Sequence, residues 1–179
     1  MVAGIVVGAA VAALVASSAG AGGGAGECFR LRAEGRFSPP SALIPSAAVT
    51  YNMDLVPAAA FIEVEQKSDV NGTRVRARVR GVLPGHAYGA HVHTAPCGTR
   101  PGDAGPHYQH VLDPDRVDPA NEVWLDFTAD ARGEGTASAH HGWGFRPGEA
   151  RSVVIHRAPG GAGERVACFS VPFGPQPRG

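Results

Sequence analysis

Residues 73–80 read Thr-Arg-Val-Arg-Ala-Arg-Val-Arg, arginine alternating with small apolar residues without a break. Successive side chains leave opposite faces of a β-strand. The segment is therefore expected to be a half-buried strand, with Val75, Ala77 and Val79 facing a core and Arg74, Arg76, Arg78 and Arg80 facing out. Asn71-Gly72, immediately before it, is a hairpin turn pair. A strand with one buried face needs partners and a second layer, so this stretch points to an all-β domain.

Further strand candidates recur at regular intervals, the pattern of a sandwich or barrel. They are 47–52, 59–65, 73–80, a segment ending at His93, 122–128, 136–141, 152–156 and 165–172, with 28–34 as an added edge strand. Eight antiparallel strands fit a closed or nearly closed barrel or sandwich. Composition agrees: 25 Gly and 15 Pro in 179 residues favour a turn-rich β protein over a helical one. A long loop is expected over 94–121, where Asp113-Pro114 and Asp118-Pro119 form turns, and loops of this length are usually functional or disordered.

The formal net charge is +0, from 16 basic and 16 acidic residues, and no basic stripe with interleaved aromatics is present, which argues against nucleic acid as a partner. Residues 1–26 are set apart. An apolar run from Ala3 to Val15 is followed by small residues and a Gly-rich linker. Ala19-Gly20-Ala21 has the form of a secretory cleavage site, although no Lys or Arg precedes the run. The segment is expected to be a signal peptide or an N-terminal membrane anchor, with the main domain at 27–179. Secreted or cell-envelope localisation follows, and it permits disulfides.

The chemistry concentrates in Gly89–His110, which holds four of the eight histidines and one of the three cysteines. His91 and His93 lie two apart on a strand, so their imidazoles share a face. His107 follows a Gly/Pro-rich loop, and the apolar strand Ser152-Val-Val-Ile-His156 ends in a fourth imidazole. Histidine-rich ligation suits copper and zinc.

The pieces Gly89-Ala-His-Val-His93, Ala104-Gly-Pro-His107, Val153-Val-Ile-His156 and Arg165-Val-Ala-Cys168 resemble, in order, the metal-binding segments of the copper/zinc superoxide dismutase family of the bacterial secreted type. The resemblance implies a Greek-key β-barrel or sandwich with the metal outside it under long loops. It implies copper on His91, His93, His107 and His156, with His107 as a proton-linked switch. Arg165 would guide the superoxide anion, since a guanidinium keeps its charge and offers fixed donors. Cys97 and Cys168 would form a disulfide closing about 70 residues, worth about 4 kcal/mol in the chain-entropy model. Cys28 is left over.

The sequence departs from the family at zinc. The family uses the bridging histidine, two more histidines and an aspartate. Here only His110 follows His107 before the next strand, accompanied by Asp113, Asp115, Asp118 and Asp126. A rearranged site of His107, His110 and Asp113 and a copper-only protein both remain open. The implied activity is copper-dependent dismutation of superoxide, an oxidoreductase reaction serving antioxidant defence. The alternative is a non-catalytic copper-binding module on the same fold. Family members occur as monomers and homodimers, and no apolar patch in the sequence decides between them. His140 and His141 read as exposed residues at a strand end, and Trp124 and Phe127 as packing residues.

Overall fold

The computed structural model describes residues 28–177; the apolar segment and linker of 1–26 lie outside them. The described chain forms nine strands: β1 (Phe29–Arg36), β2 (Ala48–Thr50), β3 (Phe61–Asp69), β4 (Gly72–Arg80), β5 (Ala87–His93), β6 (Phe127–Thr128), β7 (Glu134–His141), β8 (Ser152–His156) and β9 (Arg165–Ser170). The described residues contain no α-helix, only a 3-10 turn at Pro101–Ala104. Two sheets result, ordered β1-β3-β4-β7 and β2-β9-β8-β5-β6, with every ladder antiparallel. β4 lies beside β7 although β5 and β6, which intervene in the chain, belong to the other sheet. The architecture is an all-β, Greek-key sandwich whose sheets are not joined into a closed barrel.

The alternating segment behaves as its pattern dictates. Val75, Ala77 and Val79 are buried and Arg74, Arg76, Arg78 and Arg80 are exposed. Leu31, Ala33, Ile62 and Val64 of the same sheet join them, and Ala90, Val92, Val153, Ile155, Ala167 and Phe169 close the core from the other sheet. The second sheet is also covered on its outer side. There Val154 and Cys168 pack with Ala104 of the long loop. β8 is consequently buried at every position, as its unbroken apolar run requires.

Two elements differ from the sequence expectation. β2 spans only three residues because the Asn52 side chain accepts from the backbone N–H groups of Asp54 and Leu55, forming a turn at the strand end. The strand expected at 122–128 keeps only Phe127–Thr128 as a ladder, with single bridges from Trp124 to His91 and from Glu122 to Gln109. Here Asp126 Oδ1 accepts from the backbone N–H of Ala90, so a side chain enters the ladder.

The long loop is pinned to the second sheet. Cys97 and Cys168 form a disulfide across a sequence separation of 71. Cys97 N–H donates to Ser170 Oγ, Ser152 Oγ donates to Ala95 O, and Tyr51 Oη donates to Gly98 O. Removing the covalent tie through Cys97→Ser is expected to lower unfolding stability by about 2–5 kcal/mol. Urea denaturation of the variant and of the oxidised wild type measures the difference.

Candidate metal centre

His91 and His93 project from the outer face of β5, since Ala90 and Val92 between and beside them face the core. His156 leaves the same face from the end of neighbouring β8, where Gly89 pairs with it. His107 arrives from the long loop, bridging to the backbone of His93, while the adjacent Tyr108 turns inward and is fully buried. Arg146 holds this stretch down, donating to the carbonyls of Gln109 and His110 and stacking over the Tyr108 ring.

The four imidazoles form one cluster, fully buried at His91, His93 and His156 and partly exposed at His107. Donor atoms of His91, His107 and His156 lie within 4.8 Å of one another, and His93 Nε2 lies 3.4 Å from His156 Nε2. His91 Nδ1 is 3.1 Å from His107 Nε2. The far nitrogen of each ring meets an acceptor. His93 Nδ1 is 2.9 Å from Gly105 O, and His156 Nδ1 is 3.0 Å from Gly163 O. His91 Nε2 is 3.0 Å from Asp126 Oδ1, and His107 Nδ1 is 2.7 Å from Glu122 Oε2. A neutral imidazole carries one N–H, and an oxygen acceptor claims it. The facing nitrogens of His91, His107 and His156 are then bare lone pairs gathered within 4.8 Å, with His93 Nε2 joining them beside His156. Burial opposes protonation there: it is the main cause holding His91 down to about 4 and His93 down to about 2, and it lowers His156 as well. Four lone pairs crowded together without protons repel one another unless a cation stands between them. The donor set therefore fits a metal, and imidazole nitrogen with no thiolate suits copper or zinc.

Two of the far-side acceptors were missed in the sequence reading as site residues. Glu122 is 1% exposed, and it accepts from His107 Nδ1, from Trp124 Nε1 at 2.9 Å and from Gln109 Nε2 at 3.0 Å. Burial alone would raise its pKa, but these hydrogen bonds outweigh burial and hold the carboxyl below its ordinary value. Asp126 accepts from His91, from Ala90 N–H and from Gly160 N–H. Trp124 lies against His91 with ring centroids 5.0 Å apart, so it packs on the site rather than in the core. The signal was the period of two: Glu122, Trp124 and Asp126 share one face, while Val123, Leu125 and Phe127 are buried in the core on the other.

The remaining expected site residues are placed as follows. Arg165 stands opposite His156 in the β8–β9 ladder, half-buried, with Nη1 donating to Pro101 O; burial lowers its pKa. Cys97 and Cys168 are bonded. His110 and Asp113 are not brought to His107. The His110 ring is stacked on Trp143, 4.7 Å between centroids, and Asp113 accepts from Asp115 N–H within its own turn. Among the described residues, the His91–His107–His156 group is the one cluster of histidine, cysteine and carboxylate groups arranged to hold an ion.

No family model matches the chain, and no curated protein matches it. Solved structures with some likeness include a double mutant of a SOD-like protein from Bacillus subtilis, 19% identical over 63% of this chain and 88% of that one, TM-score 0.47. A single mutant of the Bacillus protein is 18% identical over 72% and 98% of the two chains, TM-score 0.46. The Cu/Zn superoxide dismutase from Brucella abortus is 17% identical over 78% and 99%, TM-score 0.47. At that identity and superposition, these likenesses establish neither family nor activity.

Outer-sphere acceptors that orient ligating histidines typically contribute 10–100-fold in metal affinity. Glu122→Ala is expected to weaken metal binding by about that factor, because His107 and Trp124 lose their shared acceptor. His110→Ala, which removes a ring stacked on Trp143, is expected to leave affinity unchanged. Competition against a chromophoric chelator separates the two outcomes.

Proposed function

We propose that this chain is a copper-dependent superoxide dismutase that carries no zinc beside its copper. The observation that carries the reading is the convergence of His91, His107 and His156, with His93 beside His156 and each ring fixed from behind by an oxygen. Copper bound there would supply the one-electron redox cycle that zinc lacks. The reaction consumes two superoxide ions and two protons and releases one O2 and one H2O2.

The protein's own groups supply the rest. Arg165, beside His156 and lacking any carboxylate within ion-pair distance among the described residues, offers a permanent cation to an arriving small anion. Glu122 fixes the proton of His107 on Nδ1 and leaves Nε2 bare. When Nε2 takes up a proton, the adjacent carboxylate stabilises the resulting imidazolium by a charge-assisted hydrogen bond. Glu122 therefore takes the role on His107 Nδ1 that a second metal would otherwise play, which supports the copper-only reading over a site of His107, His110 and Asp113. The disulfide, together with the apolar run in the sequence, supports an extracytoplasmic location.

Metal analysis with a dismutase assay on one sample tests the proposal. The expected result is about one copper per chain, no zinc above background and rapid superoxide turnover, with His107→Ala losing at least about a hundredfold, the lower end of what one positioned proton-transfer group contributes, and Arg165→Gln losing at least about tenfold, the lower end of what electrostatic guidance contributes. Copper bound without turnover would make the chain a binding module instead.

A further inference from the structure

The outer face of the first sheet breaks a rule of sheet stability. Arg30 on β1 pairs with Lys67 on β3, Lys67 with Arg74 on β4, and Arg74 with His140 on β7. All four are exposed. A row of basic side chains thus runs across the whole sheet at strand spacing of about 4.8 Å, with no carboxylate in it. Like charges directly opposite one another destabilise a sheet. In the next row Arg32 and Arg76 flank Glu65. The ion pairs of this face lie elsewhere: Arg32 engages Glu63 and Glu34, and Arg78 engages Glu134. Among the described residues, Arg30, Lys67, Arg74 and Arg76 make no ion pair, on a chain whose formal net charge is +0. Nothing in the metal centre uses this face.

Arg30 is the second residue of β1, so the row sits at the end of the sheet where the chain enters. The apolar run of the sequence ends at Val15, about 14 residues before β1, a reach of at most roughly 50 Å. In the uncleaved chain, whatever holds that run holds the basic row within the same reach. A single apolar signal gives weak attachment, and a second, basic one strengthens it. The basic groups form a two-dimensional array on a four-stranded face, which matches a plane of headgroups better than the line of contact a polymer strand offers. We propose that this face, centred on Arg30, Lys67, Arg74 and Arg76, docks onto an anionic lipid bilayer.

The test uses the full chain and vesicles of phosphatidylcholine with and without phosphatidylglycerol. The two vesicles differ only in charge, so the preference reports the protein's basic groups, and the variant below assigns it to the face. Each basic residue near such a surface contributes up to about fivefold in partition. The wild type is expected to prefer anionic vesicles by at least about tenfold after screening, and to lose that preference as salt approaches about 1 M. The quadruple variant Arg30→Gln, Lys67→Gln, Arg74→Gln, Arg76→Gln is expected to bind both vesicles alike, with thermal stability close to wild type because relief of the Arg30–Lys67–Arg74 repulsion offsets loss of the Arg76–Glu65 attraction. Equal wild-type partition into both vesicles, a salt-insensitive preference, or a variant that keeps the preference would each overturn the proposal. So would tight binding to soluble dextran sulfate without binding to anionic vesicles, which would make the partner a polymer. Where the quadruple variant fails to fold, the single variants Arg30→Gln and Arg74→Gln decide the matter: each is expected to lower the preference, and an unchanged preference in both would overturn the proposal.

Discussion

Four imidazole rings meet with their far nitrogens bonded to oxygens, and the lone pairs left facing one another repel unless a cation or a shared proton lies between them. That electrostatic conflict governs the outer side of the second sheet. It arises because each ring is held from behind, by two backbone carbonyls and by the carboxylates of Asp126 and Glu122. The rest of the architecture serves to keep those acceptors in place. Gly105 takes a positive φ of 72° so that its carbonyl reaches His93, and the Cys97–Cys168 bond keeps the loop containing Gly105 on the sheet.

Glu122 defines what kind of centre this is. A buried carboxylate is costly without donors, and this one has three. It sits on the nitrogen of His107 that points away from the cluster. A cation placed there would have to displace a satisfied, buried hydrogen-bond network. His110, the one histidine the sequence offered in the long loop for that purpose, instead stacks with His141 on Trp143.

Much of this was legible in the sequence, for identifiable reasons. The alternating run at 73–80 announced a strand and its two faces, and period two placed His91 and His93 together. Their convergence with His107 and His156 came from order and resemblance, because nothing local in a sequence brings β5, a loop and β8 to one point. Glu122 escaped notice, and Asp126 was noted only as a carboxylate near the candidate zinc residues, because a strand carboxylate reads as solvent-facing until the loop that covers it is seen. Trp124 was read as a packing residue, and it packs, but against the His91 ring on the outer side of the sheet. The basic row escaped as well: Arg74 was visible, but Arg30 and Lys67 become its neighbours only through the register of two ladders.

The most direct measurement is a crystal structure of the copper- and zinc-exposed protein, with anomalous scattering recorded at both metal edges. The account predicts one copper among His91 Nδ1, His93 Nε2, His107 Nε2 and His156 Nε2, with Glu122 still bonded to His107 Nδ1 and no zinc signal beside it. A zinc ion on His107 Nδ1, or copper bound away from these four nitrogens, would contradict it.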